Sequence, residues 1–269
     1  PLPLRALARK GVFYALLAAI VLGGAAEVTM AQWASAFLEK GLRLPKLAGD
    51  VWGVCFFSLM LALGRSGYAA LGARVPLHRL LIGGSGAAAV LYVVCALAQS
   101  PLLGVLACGL TGLCVSLLWP GAIILASRRI PSAGAAMFAL LSAGGDVGAS
   151  LGAFCVGRAA DWAQASGTVF AGAAGESGAL RAGLLLAAVF PLLCCGVHTA
   201  LHCSEARAGL PAGSERRRQA RQTAGRQSHG RRTTEHRRQA AGSEPQGQRR
   251  QTAGSERQWC GESGSTGTR

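Results

Sequence analysis

The stretch at residues 11–38, GVFYALLAAIVLGGAAEVTMAQWASAFL, contains a single charged side chain, that of Glu27. A helix needs roughly 20 apolar residues to cross the hydrocarbon core of a bilayer. This stretch exceeds that length, so it predicts a membrane-spanning helix. The basic residues in front of it would also suit a signal peptide cleaved near residues 25–26. We prefer the spanning helix, because the apolar pattern continues past that point.

Five similar stretches follow, and each is interpreted as a further spanning helix. They cover residues 51–63, 80–98, 102–127, 133–157 and 180–200. The second reaches spanning length only if its helix continues into Leu47 and Tyr68. In the fourth, Trp119-Pro120 predicts a kink, since proline removes one helical hydrogen bond. The pattern therefore predicts an all-α membrane protein with six transmembrane helices.

The basic residues beside the spans set the expected orientation. If the N-terminus is cytoplasmic, eight Lys and Arg residues flank the spans on the inside and five on the outside. Membrane proteins keep an excess of Lys and Arg on the cytoplasmic side. We therefore expect both termini in the cytoplasm, with a flank at residues 1–10 and a six-helix domain at residues 11–202.

The C-terminal tail carries most of the net charge. The chain has a net charge of +15, and 14 of its 27 Lys and Arg residues lie at or after Arg207, against five acidic residues. RRQAAGSE at residues 237–244 recurs as RRQTAGSE at residues 249–256. Such a segment buries too little apolar surface to fold, so residues 203–269 are predicted to be a disordered, Arg-rich, low-complexity tail. Its charge suits anionic lipid or RNA, but no interleaved aromatic residues support base stacking, and we favour a solvated low-complexity extension without a binding role.

The common motifs of enzymes and metalloproteins do not occur in the sequence. It has no Gly-x-Ser-x-Gly elbow, no His-Glu-x-x-His and no phosphate-binding Gly-x-x-x-x-Gly-Lys-Ser/Thr. Eight of the nine cysteines lie in or beside the apolar stretches, without the paired spacing of a zinc site. We interpret them as small packing residues. We therefore expect no enzymatic activity, no cofactor and no metal.

Two carboxylates at membrane depth are the leading functional residues, because a charge there is costly unless it faces a cavity or a partner. Glu27 has small neighbours on its helical face, which suits either a substrate cavity or a link between two helices. The fifth stretch carries a glycine ridge, at Gly144, Gly148 and Gly152. Asp146 lies about 200° around the helix from two of these glycines. We expect it to face a cavity or a structural partner, and the ridge to pack on another helix.

Three other side chains are candidates for contact with a solute. Gln32 and Trp33 lie in the first span, where Trp33 suits either an interfacial anchor or a pocket wall. Trp119 lies beside the expected kink of the fourth span. Irregular backbone within a membrane tends to line a cavity, so Trp119 is a candidate for the cavity wall.

These features together resemble a known family. The first span contains GGAAEVTMAQWAS at residues 23–35, Gly64-Arg65 lies at the inner end of the second, and the fourth contains LWPG at residues 118–121. The combination resembles the C-terminal half of a major facilitator superfamily transporter, of the bacterial sugar-permease-like kind. On that resemblance, the spans in residues 10–202 correspond to the seventh to twelfth helices of a twelve-helix fold. The tail lies outside it.

The family has a signature of Gly, Asp and Arg in the short cytoplasmic loop after the second helix of each half. The corresponding residues here lack the Asp and are Gly64, Arg65, Gly67, Gly72 and Arg74. As bare charges, the arginines of this loop and Arg79 are interpreted as determinants of membrane topology.

The resemblance implies secondary transport of a small solute across a bacterial plasma membrane, driven by an ion gradient. The first and fourth spans would line the central cavity, near Glu27, Gln32 and Trp119, and Asp146 would serve proton coupling or a gate. Since alternating access needs two halves, we expect a fragment, or a half that pairs with the missing N-terminal half or a second copy. The alternative is a non-transporting membrane remnant whose basic tail contacts anionic lipid or nucleic acid.

Overall fold

The computed structural model describes residue 7 and residues 9–72, 75–131 and 134–207. Within these ranges the regular structure is helical, and six helices are long and apolar enough to cross a membrane. The predicted all-α, multi-pass architecture is thereby confirmed. Most of the predicted flank at residues 1–10, and the tail from residue 208 with its predicted disorder, lie outside the described residues.

The six spans are not all uniform α-helices. Their bounds are Gly11–Gly41, Lys46–Leu71, Leu77–Leu97, Pro101–Arg129, Ala135–Ala165 and Gly175–Ala206. The first and second contain π-helical segments, at Phe37–Gly41 and Asp50–Cys55. The fourth divides into Pro101–Val115 and Leu118–Arg129, and the sixth into Gly175–Ala187 and Val189–Arg207.

The second span differs most from its predicted bounds. The sequence predicts an apolar core at residues 51–63 followed by a basic loop, whereas the helix continues through Arg65 to Leu71. Arg65 is accommodated within the span because its charge meets that of Glu27 on the first span. The assignment of Arg65 to a loop, as a bare charge, was therefore wrong.

The sixth span also continues beyond its predicted end. The predicted tail begins at residue 203, whereas the helix continues to Arg207. Glu205 in this last part of the helix pairs with His78 and Arg129, on the third and fourth spans. Residues 203–207 therefore belong to the helical domain, because side chains of other spans hold them there.

Successive spans run in opposite directions, which gives the bundle two ends. The terminal end, as we name it, holds the start of the first span and the end of the sixth, with the second-to-third and fourth-to-fifth connections. The distal end holds the other three connections. Lys40 and Glu176 form an ion pair of 2.6 Å at the distal end, between the end of the first span and the start of the sixth.

Arg181 ties three spans together near the distal end. It is 3% exposed, and it donates hydrogen bonds to the carbonyl oxygens of Ala98 at 2.5 Å and Gly41 at 3.2 Å. Its guanidinium carbon also lies 5.8 Å from the centre of the Phe37 ring. Carbonyl dipoles and a ring face offset part of the cost of burying the charge.

The first span is the centre of the bundle and contacts the second, fourth, fifth and sixth spans. It packs most closely on the fifth, where the predicted glycine ridge faces it. Gly148 lies against the Val21 backbone, and Gly152 lies against Ala25 and Thr29. Small residues allow helix backbones to approach closely in a membrane. The prediction that this ridge packs on another helix is confirmed.

The outer surface of the bundle carries many large apolar side chains. Val90, Leu102, Phe154 and Leu192 are each more than 60% exposed. A soluble domain rarely exposes so much apolar area, whereas lipid tails are a suitable solvent for it. The surface therefore agrees with the length and hydropathy of the spans in indicating a multi-pass membrane protein.

Candidate functional site

Pro120 interrupts the fourth span and frees a backbone carbonyl. The α-helix stops at Val115 and resumes at Leu118. Proline has no N–H to donate to the carbonyl four residues earlier. That carbonyl belongs to Ser116, and it accepts a hydrogen bond of 3.2 Å from Nε of Arg65. The predicted interruption of the helix is therefore present, and an arginine of the second span donates a hydrogen bond to the carbonyl that it frees.

The same arginine reaches the first span. Nη2 of Arg65 lies 2.6 Å from Oε1 of Glu27. The Glu27 side chain is 12% exposed, whereas the Arg65 side chain is 44% exposed. Because the guanidinium donates in several directions from one rigid plane, Arg65 holds the first, second and fourth spans at one point. Each charge also balances the other, which makes both tolerable within the membrane.

Glu27 retains one oxygen without a partner among the described residues. Its Oε2 is buried and accepts no hydrogen bond there, although buried polar atoms are normally satisfied. The Tyr92 hydroxyl donates to the carbonyl of Ala26 at 2.7 Å and so fixes the backbone next to Glu27. The carboxylate is thus firmly positioned, with one oxygen left to accept a proton or a donor group of a solute.

A cavity of about 440 Å³ lies beside the ion pair. Its lining residues come from the first, second and fourth spans and are Glu27, Arg65, Tyr68, Leu117, Trp119, Pro120, Ile123 and Ile124. Apolar walls with a few convergent polar groups are the usual form of a small-molecule site. The structure therefore brings together two of the sequence-predicted candidates, Glu27 and Trp119.

Trp119 forms one wall of this cavity. Its indole ring packs between the first and fifth spans, at two glycines. A side chain added at Gly145 would lie 2.7 Å from the ring, and one added at Gly24 would lie 3.3 Å from it. The two glycines thus leave the space that the ring fills. A fixed indole offers a solute a large, rigid apolar face.

Gln32 and Trp33 do not line the cavity. Gln32 is exposed. The indole nitrogen of Trp33 donates to the carbonyl of Ala153 at 3.2 Å, and its ring lies against Gly157. Trp33 and Glu27 lie on different faces of the first span. Trp33 therefore faces the fifth span and forms a contact between the two helices.

Replacing Trp33 with Phe should weaken the contact between the first and fifth spans. Phe keeps a ring but has no N–H for the Ala153 carbonyl, so we expect a loss of about 0.5–1.5 kcal/mol in the free energy of unfolding. Unfolding by SDS, followed by circular dichroism, measures this. Trp52→Phe is the matched control, because Trp52 is 54% exposed. An equal loss in both variants would contradict the assigned role.

Asp146 lies on the exposed face of the fifth span, while Gly148 on the ridge is buried. The predicted orientation away from the ridge is therefore confirmed. The carboxylate does not line the cavity, and in the described part of the chain it meets no charged or hydrogen-bonding partner. Within the described residues Asp146 therefore neither lines the cavity beside Glu27 nor forms an ion pair.

The residues matched to the family's loop signature lie mostly in the second span. Gly64 and Gly67 are inside its helix, Gly72 follows its last residue, and Arg74 lies outside the described residues. A side chain added at Gly64 would collide with Ser116. Glycine at this position therefore lets the second span approach the fourth at its break.

The sequence analysis missed the partners of Glu27. Arg65 was assigned to a loop, and neither Tyr68 nor Ser116 was singled out. One signal was available, because Pro120 necessarily frees the carbonyl of residue 116. Which donor fills that position depends on the helix that lies beside it.

No family model, curated protein or solved structure matches the chain. The resemblance to the major facilitator superfamily therefore rests on the residues quoted above.

Proposed function

We propose that the chain forms the C-terminal half of a secondary transporter related to the major facilitator superfamily. It moves a small polar solute by alternating access, coupled to an ion gradient. The observation that carries the proposal is the Glu27–Arg65 pair, which lies inside two spans, beside a cavity, with Glu27 Oε2 unpartnered. Ionisable side chains within spans mark the paths of ions and substrates in membrane proteins.

The packing of the spans supports this proposal. The first span packs on the fifth and also contacts the sixth. In the corresponding way, the fourth span packs on the second and also contacts the third. These two contacts thus recur when the first three spans are exchanged with the last three, which run in the opposite direction, although the close packing of the fifth span on the sixth has no equal between the second and third. Inverted repeats of three helices are typical of each half of this superfamily. The cavity lies where the two repeats meet.

The chemistry of the pair suits coupling to protons. With Glu27 ionised, Arg65 is balanced by its carboxylate. A proton on Glu27 removes that negative charge. The guanidinium of Arg65 is then free to donate hydrogen bonds to the acceptor oxygens of a solute. The proton and the solute thereby change each other's affinity for one site. This is the thermodynamic requirement for coupling.

The exposed face of the fifth span supports a second half. Asp146 lies there among Val147 and Phe154, which are 55% and 64% exposed. A carboxylate facing lipid costs about 2.5–3.5 kcal/mol on insertion scales, so we propose that a second six-helix half, or a second copy, covers this face. The second span, the least buried of the six, would contribute to the same interface. We place the complete transporter in a bacterial plasma membrane, with both termini cytoplasmic.

Trp119 provides a test that does not require the solute to be known. The purified protein is titrated with monosaccharides, disaccharides and other small polar solutes while tryptophan emission is followed. We expect at least one solute to change the emission, and Trp119→Phe to remove that change. Trp162→Phe is the matched control and should retain it, since Trp162 is 71% exposed at the end of the fifth span.

Arg65→Gln supplies the complementary result, read from the emission of Trp119. It removes the charge that holds the solute's acceptor oxygens, so we expect the affinity to fall by about tenfold or more. A panel without any response, or a response that survives Trp119→Phe, would contradict a solute site in this cavity.

A further inference from the structure

A second group of ionisable side chains lies at the terminal end of the bundle, apart from the cavity. It consists of His78 in the first turn of the third span, and His202 and Glu205 near the end of the sixth. The ligand atoms that these three residues offer all lie within 4.8 Å of one another. No metal was expected from the sequence, and this group was missed because two spans far apart in the chain supply its residues.

The three side chains converge from two helices. His78 Nε2 lies 2.7 Å from Glu205 Oε2, and the His78 and His202 ring centres are 5.1 Å apart. His202 and Glu205 are three residues apart, which places them on one face of the sixth span. His78 is 4% exposed and the Glu205 side chain 17%. His202 is exposed, so the group lies at the surface of the bundle, with His78 on its buried side and His202 on its open side.

His198 adds an independent observation. It is fully buried, and within the described residues neither of its ring nitrogens has a hydrogen-bond partner. It precedes His202 by four residues, so it lies on the same helical face. Buried polar atoms are normally satisfied, so the His198 ring adds an unpaired polar group one helical turn before His202, outside the three clustered ligands.

Arg129, on the fourth span, orients the carboxylate. Its Nε forms an ion pair with Oε1 of Glu205, and its Nη2 donates a hydrogen bond to the carbonyl of Leu201 at 2.8 Å. Oε2 of Glu205 is thereby left on the side of the histidines. Carboxylates that bind metals are commonly held in place by a neighbouring group that does not itself touch the metal. The charge of Arg129 also opposes a cation, so the affinity should be lower than in closed structural zinc sites.

We propose that this group binds a first-row transition metal ion. The ligands are His78, His202 and Glu205, and a water molecule supplies the fourth. Imidazole nitrogens with one carboxylate are a donor set that suits Zn²⁺. Two ligands of a tetrahedral zinc ion lie roughly 3.3 Å apart, so His78 and Glu205 separate slightly as the ion enters. The ion links the third and sixth spans, and the proposal does not depend on the transport function.

Zinc titration of the full chain tests this proposal. The protein is purified through a tag without histidine, and ZnCl₂ is titrated in competition with a fluorescent zinc indicator. We expect one site in the unmodified protein. The affinity should fall by about tenfold or more in His78→Gln, in His202→Gln and in Glu205→Gln. Far-UV circular dichroism of the same samples reports whether each variant keeps its helices.

The tail and one cysteine provide matched controls. A His229→Gln/His236→Gln variant removes the two tail histidines, and Cys203→Ser removes the exposed thiol next to His202. Both variants should bind zinc as the unmodified protein does. Loss of binding in either control would overturn the proposal, and so would unchanged binding in the three site variants.

X-ray absorption of the zinc-loaded, unmodified protein gives a result that no folding defect affects. The proposed ligands predict a first shell of nitrogen and oxygen at about 2.0–2.1 Å, without sulfur at about 2.3 Å. A sulfur shell would assign the ion to cysteines and overturn the proposal, as would the absence of binding in the titration.

Discussion

Replacing Glu27 with Gln is expected to lower solute-driven proton movement by about tenfold or more, as the loss of a charged hydrogen bond implies. Glutamine has nearly the same shape, but it takes up no proton at neutral pH. It also leaves the charge of Arg65 unbalanced within the membrane. The contact between Arg65 Nη2 and position 27, which is 2.6 Å long with the carboxylate, loses its charge assistance. Coupling therefore fails even where the solute still enters the cavity.

Membrane vesicles from cells that express the complete gene provide the measurement. A pH-sensitive dye reports proton movement after addition of the solute that changes the emission of Trp119. Glu39→Gln is the matched control, because it makes the same substitution in the same span at the distal end. There Glu39 lies 3.8 Å from Lys46 in a pair open to solvent. Its rate should equal that of the unmodified protein.

The double variant Glu27→Gln/Arg65→Gln separates folding from coupling. It removes both charges, so it should restore any loss of protein in the membrane while transport stays absent. Full proton movement in Glu27→Gln at several pH values would remove the pair from the mechanism.

Among the stability predictions, replacing Gly148 with Ala is expected to lower the free energy of unfolding the most. An added methyl group would lie 2.6 Å from the carbonyl carbon of Val21 and 2.8 Å from its Cα. These are backbone atoms, so the first and fifth spans must separate along their whole contact. Overpacking of this kind costs about 1–3 kcal/mol, against a gain of about 1 kcal/mol in helix propensity. The net loss should be measurable by unfolding in SDS.

Gly83→Ala is the control, because it should not lower the stability. Gly83 lies inside the helix of the third span, and a methyl group added there would meet no atom within 4 Å. The substitution should therefore leave stability unchanged or raise it by about 0.4–1 kcal/mol. If Gly148→Ala were as stable as Gly83→Ala, the close approach of the first and fifth spans would be refuted.

The six spans and the glycine ridge were readable from the sequence for local reasons. In lipid, a backbone must satisfy its own hydrogen bonds, so a long uncharged stretch such as residues 11–38 has to be helical whatever it packs against. Gly144, Gly148 and Gly152 recur every four residues and so share one helical face. That face is smooth in any helix, and the structure adds only the identity of its partner.

Arg65 and Asp146 show where this reasoning stops. The charge of Arg65 predicted the end of a span, because the sequence did not reveal that Glu27 lies opposite it. Asp146 was correctly oriented away from the ridge, but its surroundings depend on what covers the outer face of the fifth span. Whether a membrane-buried charge is tolerated depends on the groups that face it, and those groups belong to other helices.

The sequence by itself determined the number of spans, their approximate limits and the faces on which small residues lie. These properties follow from hydrogen bonds between residues four apart and from the length of the hydrocarbon core. The tertiary structure alone decided which polar groups meet: Arg65 meets Glu27 and the freed carbonyl of Ser116, and His78 meets Glu205. These contacts depend on the angles and positions at which the helices cross. Packing between residues distant in the chain sets that geometry, so no local sequence pattern predicts it.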